Sequence, residues 1–196
     1  MVRRNHYPKA GYYHHHDKGY YSFITHNTEL SITNFKQALN IALKQGWQLE
    51  AVKSKIWLAN HQLFQNKMEE AKSLYNQVLQ ESIEIDYVDG IANGYYGLSS
   101  LEADQEKILQ LLIKVDSLYR ERKLISPVLA NSYGMIARIY RESYNDRETA
   151  DKYFARSMEV ARQTNYIPGI DYIGKLLGET ALEEGNYEEA YSYFSE

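Results

Sequence analysis

The sequence predicts an all-α protein built as an α-solenoid of stacked antiparallel helix hairpins. Three observations carry that prediction. A bulky residue recurs at one phase of a roughly forty-residue period, at Phe35, Tyr75, Val115, Phe154 and Phe194, in steps of 40, 40, 39 and 40. All three prolines, Pro8, Pro127 and Pro168, fall within one residue of a second phase. Asn66, Asn145 and Gly185 share a third, about seventeen residues after the proline phase. Self-similarity at such a spacing means stacked supersecondary units. Proline is tolerated in the first turn of a helix and poorly inside one. Asn and Gly readily take the left-handed conformation that a helix end requires. Each unit is therefore a helix, a short turn and a second helix.

The units run 8–46, 48–86, 88–125, 127–166 and 168–196, and together read as one repeat domain over 1–196. The first opens at Pro8, places Lys18-Gly19 in its first helix, and carries Phe35, Ala38 and Leu39 in its second. The second has Gln48 in the proline place, Leu58-Ala59 before the turn at Asn66, and the stripe Ala71, Leu74, Tyr75, Val78 and Leu79. That stripe follows the three-and-four-residue steps of an amphipathic helix. The third starts at Val88 and carries Leu111, Leu112, Val115, Leu118 and Tyr119. It diverges, because Leu111 stands where alanine is expected and its turn, Ala103-Asp104-Gln105-Glu106, lacks Gly or Asn. Wider helix separation and a change in superhelix curvature are expected there.

The fourth unit, from Pro127, carries Ala150, Tyr153, Phe154 and Met158, and puts Arg138 in phase where a small residue belongs. A turn one residue longer near Tyr144-Asn145-Asp146 would seat Ala137 instead and direct Arg138 away from the hairpin contact. The fifth contains Leu177-Gly178, Ala181, Gly185-Asn186-Tyr187, Ala190 and Phe194. The small seats at Gly19, Ala59, Ser99 and Gly178 let two backbones approach while a neighbouring aromatic fills the gap. Earlier second helices run well past the phase at which Phe194-Ser195-Glu196 closes the sequence, and a repeat array normally ends in a polar cap. The expectation is a piece of a longer protein.

The stretch Leu177-Gly178, Ala181, Gly185-Asn186-Tyr187, Ala190 and Phe194 resembles a tetratricopeptide repeat, and so do Leu58-Ala59, Asn66, Ala71, Tyr75 and Val78-Leu79. The resemblance covers essentially the whole chain. The period exceeds the family's usual 34 or so residues and is similar to the longer-helix version common in bacterial signalling proteins. The resemblance implies a right-handed superhelix whose first helices line a concave groove that holds a peptide. In that register Lys53, Ile56, Asn60, Asn93, Tyr96, Arg138, Arg141 and Lys175 turn toward the groove. Asn can hydrogen-bond a peptide backbone as donor and acceptor, and Lys and Arg can hold a carboxylate. The full carboxylate-clamp pattern of chaperone-binding members is not present. The implied function is a non-enzymatic protein–protein interaction module that binds a peptide, a partner protein or its own neighbouring domain, as the sensory or scaffold part of a larger bacterial regulator. The alternative is a peptide-gated regulator whose array changes shape on binding a small signalling peptide.

Composition agrees with these classes. A net charge of −4 argues against direct nucleic-acid binding, which needs clustered Lys and Arg. The absence of cysteine excludes disulfides, thiolate metal sites and cysteine nucleophiles. No apolar run approaches the roughly 18 residues of a membrane span, and no secretory signal is visible. The cytoplasm is the default expectation.

No catalytic residue, metal site or cofactor is expected. His14-His15-His16, with His6 and His26, lack the spacing that puts ligands on one helix face. Glu183, Glu184, Glu188 and Glu189 flank a turn and read as a solvated face. Of the nineteen tyrosines, Tyr75, Tyr119, Tyr140 and Tyr153 occupy packing seats. Tyr12, Tyr13, Tyr20 and Tyr21 cannot all face inward on one helix, which makes the first unit a candidate docking surface.

Overall fold

The computed structural model describes residues 8–195. Among them the elements are all helical: α1 (Ala10–Ile24), α2 (Thr28–Gln45), α3 (Gln48–Phe64), α4 (Met68–Glu84), α5 (Val88–Ser99), α6 (Gln105–Arg122), α7 (Pro127–Glu142), α8 (Arg147–Gln163), α9 (Ile167–Glu183) and α10 (Tyr187–Phe194). None is long and apolar enough to cross a membrane. The chain forms two compact units, one ending at Leu101 and one beginning at Glu102. The first holds α1–α5 and the second α6–α10. The division falls in the link between α5 and α6, within the divergent third repeat.

The punctuation of the sequence sets these bounds. Pro127 opens α7 and Pro168 lies in the first turn of α9, while α3 and α5 start at Gln48 and Val88 in the equivalent place. Asn66, Asn145 and Gly185 are left-handed, with φ of 59°, 51° and 78°. His26, Asp86, Lys123 and Asn165 take the same conformation without being Gly.

In the first unit, Gly19 lets the Phe35 ring approach α1 closely. That ring stacks on Trp57 of α3 at 5.4 Å and 4°. Tyr12, Ala38, Ala42 and Ala51 form one buried cluster, and Ala59, Ala71 and Tyr75 another. The Tyr12 hydroxyl donates to the Glu50 carbonyl at 3.0 Å. Helix α5 docks on α4 through Gly90, Gly94 and Gly97, at three-and-four-residue steps on one helix face. A Cβ at Gly94 would lie 2.8 Å from that of Leu79, and one at Gly97 would run into the Tyr75 ring.

In the second unit, Ala137, Ala150, Phe154, Met158 and Ile173 form the buried cluster. Ala137 is fully buried and Arg138 exposed, the register predicted for the fourth hairpin. The α7–α8 link spans 143–146, one residue longer than 65–67 and 184–186. Gly178 receives the edge of the Phe194 ring.

Candidate functional site

The eight groove candidates all lie on first helices of hairpins, five in the first unit and three in the second. In the first unit, Lys53 of α3 is half-buried with its ammonium 6.0 Å from the centre of the Tyr87 ring. Burial and the nearby Asp89 push the Tyr87 hydroxyl up to about 12. Ile56 is packed inward, 8% exposed, in the apolar cluster with Val52 and Val78. Asn60 is half-buried and accepts the Tyr75 hydroxyl at 2.7 Å. Burial, with the Tyr96 phenol nearby, holds the Tyr75 hydroxyl far above its usual range, so it stays a neutral donor. Asn93 of α5 donates its amide to the Asp89 carbonyl at 2.7 Å, and Tyr96 is half-buried on the same helix.

These bonds define what each amide still offers. Asn60 has used a carbonyl lone pair and keeps both N–H donors. Asn93 has used one donor and keeps its carbonyl. On neighbouring helices, one side chain presents donors and the other an acceptor, which is the complement of a peptide unit.

In the second unit, Arg138 of α7 donates from Nε to Glu142 at 3.3 Å and from Nη1 to the Tyr172 hydroxyl of α9 at 3.4 Å. The Glu142 hydrogen bond raises its already high pKa further. Arg141, one turn on, donates to the Thr180 hydroxyl of α9. Lys175 of α9 is exposed and pairs with Glu179 at 3.9 Å. Three cations thus lie on α7 and α9, each held by polar neighbours.

The remaining sequence features separate clearly. Among the described residues no group of His, Asp and Glu is arranged to hold a metal; His6 lies outside them. His16 is half-buried and stacks on Tyr12, and His15 contacts Asn34 at 3.2 Å. Glu184 pairs with Arg147 at 2.7 Å, while Glu188 and Glu189 are exposed. Tyr12 is buried, and Tyr13, Tyr20 and Tyr21 are exposed on α1. Tyr20 and Phe23 edge onto Trp57, and Phe23 stacks on Phe64. Tyr172 and Thr180, which hydrogen-bond to the two arginines, are neighbours of the candidates that sequence reading did not single out. Their signal was their spacing of 34 and 39 residues from those arginines, close to one period.

The arrangement is a helical-repeat protein that carries polar and aromatic side chains on its first helices. No protein-family model matches the sequence, and no curated protein matches it. Solved structures do. RapI in its apo form superposes with a TM-score of 0.64 at 14% identity, over 98% of this chain and 83% of RapI. The Rap conjugation gene regulator of plasmid pLS20, in complex with the Phr* peptide, gives 0.71 at 16%, over 99% of this chain and 62% of the regulator. A Rap protein complexed with Competence and Sporulation Factor gives 0.57 at 14%, over 94% and 73%. At these identities the likeness is one of fold, and it establishes the all-α helical-repeat architecture.

Proposed function

We propose that this chain is a non-enzymatic, peptide-binding regulatory module of the tetratricopeptide type, with 1–196 acting as one repeat domain. The observation that carries this reading is the fold match along almost the whole chain to Rap structures, one complexed with the Phr* peptide and one with Competence and Sporulation Factor. The side-chain chemistry supports it. In the first unit Asn60 and Asn93 hold a peptide unit, with Lys53 and Tyr96 beside them and Ile56 supporting the surface from beneath. In the second unit Arg138, Arg141 and Lys175 hold acidic side chains or a C-terminal carboxylate, because guanidinium matches a carboxylate in bidentate fashion. The peptide-gated reading is favoured over a rigid scaffold by the same peptide complexes. A protein or the chain's own neighbouring domain is the other ligand this surface suits.

The test exposes the chain to a pool of random hexapeptides, identifies the retained sequences by mass spectrometry, and measures them by calorimetry. Retained peptides should bind wild type and lose about tenfold in the Arg138→Gln/Lys175→Gln double variant, the loss expected from removing charge-assisted hydrogen bonds. A pool that passes through unenriched, or affinities indifferent to that double variant and to Asn60→Ala/Asn93→Ala, would count against the groove. Solution scattering with and without peptide separates the gated reading, which requires a change in radius, from the scaffold.

A further inference from the structure

The first unit holds a recess that none of the groove candidates lines. Its volume is about 290 Å³, near the lower end of ligand pockets, which suits one long side chain. It sits where the last turn of α2, the start of α3 and the last turn of α4 meet. The recess exists because two facing residues are small: Ala42 of α2 is fully buried and Ala51 of α3 is 4% exposed. Gly46, left-handed at φ 68°, caps α2 and reverses the chain so that Trp47 forms one wall. Ile85 forms another.

Both ionisable side chains that line the recess are acidic, and Lys55 of α3 pairs with one of them from outside the lining. Glu81 and Glu84 of α4 line it, and no lysine or arginine does. Glu81 pairs with Lys55 through Oε1, and Glu84 accepts the Gln80 amide at 3.0 Å. Two helix C-termini, those of α2 and α4, bring their partial negative charge to the recess, against the single N-terminus of α3. The chain already shows what this corner attracts: Lys9 lies with its ammonium 5.4 Å from the centre of the Trp47 ring and pairs with Glu50. Apolar walls beside an indole and two carboxylates match a side chain with an aliphatic stem and a cationic head.

We propose that this recess is a binding site for a lysine or arginine side chain of a polypeptide ligand, its stem against Trp47, Ala42, Ala51 and Ile85 and its head between Glu81 and Glu84. The proposal takes from the peptide-binding reading only the source of the cation; none of the eight groove candidates lines the recess.

The experiment uses the intact chain with Trp57→Phe, which leaves Trp47 as the sole tryptophan. The probe is an acetylated, amidated alanine pentapeptide with a central arginine, and the control carries citrulline there. The expected result is a saturable change in Trp47 emission with the arginine peptide, about tenfold weaker with citrulline and with Glu84→Gln, since a charge-assisted hydrogen bond is lost in each. Leu43→Glu, at an exposed position on the rim, should tighten binding, which a variant that merely disturbs folding would not do. Equal binding of citrulline, indifference to Glu84→Gln and Leu43→Glu, or no saturable change overturns the site. Arg138→Gln/Lys175→Gln should leave the titration unchanged. If instead it abolishes binding while Glu84→Gln does not, the peptide lies in the groove and the recess is not its site. A hexapeptide pool whose retained sequences are indifferent to Arg138→Gln/Lys175→Gln and to Asn60→Ala/Asn93→Ala, alongside a normal Trp47 titration, would reject the groove and keep the recess.

Discussion

Gly97→Ala tests a close contact between α5 and α4 and one candidate residue together. A methyl group at position 97 runs into the Tyr75 ring, which is 2% exposed and closed in by Ala59 and Ala71. Overpacking of this kind costs about 1–3 kcal/mol. The ring cannot move without stretching the 2.7 Å bond from its hydroxyl to Asn60, which adds about 1 kcal/mol. Replacing a helical glycine by alanine returns about 1 kcal/mol. The net loss is about 2 kcal/mol. Both tryptophans, Trp47 and Trp57, lie in the first unit, so urea unfolding followed by tryptophan emission reads that unit. With a slope of about 2 kcal/mol per molar, the midpoint should fall by about 1 M. Gly11→Ala is the matched control, because its new methyl meets only Ile41 Cδ1, at 3.9 Å, and it should unfold at the wild-type midpoint or above. A Gly97→Ala midpoint equal to that of Gly11→Ala would show that α5 does not dock on Tyr75 through its glycines, and would remove the brace assigned to Asn60.

Two further perturbations probe other parts of the chain. His61 is 3% exposed and held at 2.8 Å to Ser31, whose single hydroxyl proton goes to the Gly19 carbonyl. Ser31 must therefore accept from His61 Nε2–H, which fixes a proton on Nε2. Burial lowers the pKa of His61 below 6.5, and that of His16 as well, the latter against an opposing pull from Asp17. The unfolded chain then binds more protons as pH falls through 6.5, so stability is full above that value and declines toward the folded pKa values. The urea midpoint should be lower at about pH 5.5 than at about 7.5, and a His16→Gln/His61→Gln variant should flatten that slope; a midpoint that rises on acidification contradicts the assignment. In the second unit, Lys123 caps α6 in the left-handed region at φ 54° and is exposed. Lys123→Gly relieves a Cβ strain of about 1–2 kcal/mol at some entropic cost, so thermal unfolding by circular dichroism should shift up by roughly 2 °C, and a downward shift would mean that the lysine side chain has a structural partner.

What the sequence disclosed and what it withheld follow from the reach of each interaction. Helix starts at Gln48, Val88, Pro127 and Pro168, turns at Asn66, Asn145 and Gly185, and the pairing of Gly19 with Phe35 and Gly178 with Phe194 are settled within one hairpin, so their signals share a single repeat. The register at Ala137 was legible for the same reason, through a turn one residue longer. His26, Asp86 and Lys123 were not read as left-handed caps, because no Gly or Asn marks those turns and each residue bears a modest local penalty there. Ile56 was placed on the groove face, yet it packs with Val52 and Val78, because α3 is buried on more than one face and has no single apolar stripe to mark its exposed side.

The candidate site was legible as a row of first helices but not as bonded residues: Asn60, Asn93 and Lys175 are held within their own hairpins, while the bonds of Arg138 to Tyr172 and of Arg141 to Thr180 cross from one repeat to the next. In the second unit these cross-repeat contacts run over 34 to 39 residues, a little under one period: Arg138 reaches Tyr172 across 34, Arg141 reaches Thr180 across 39, and the Asn131 amide donates to the Tyr166 hydroxyl across 35. At the other end, Lys9 and Tyr12 reach Glu50 across 41 and 38. In a stack of like units, a side chain on one first helix faces the equivalent turn of the next. Complementary polar residues one period apart are therefore the pattern by which such a surface announces itself, as the bulky residues one period apart announce the core. Within each unit, a peptide on the first helices would meet side chains already fixed by their neighbours, so less rotamer freedom is lost on binding. That pre-organisation is the physical reason to place the ligand there rather than on the exposed tyrosines of α1.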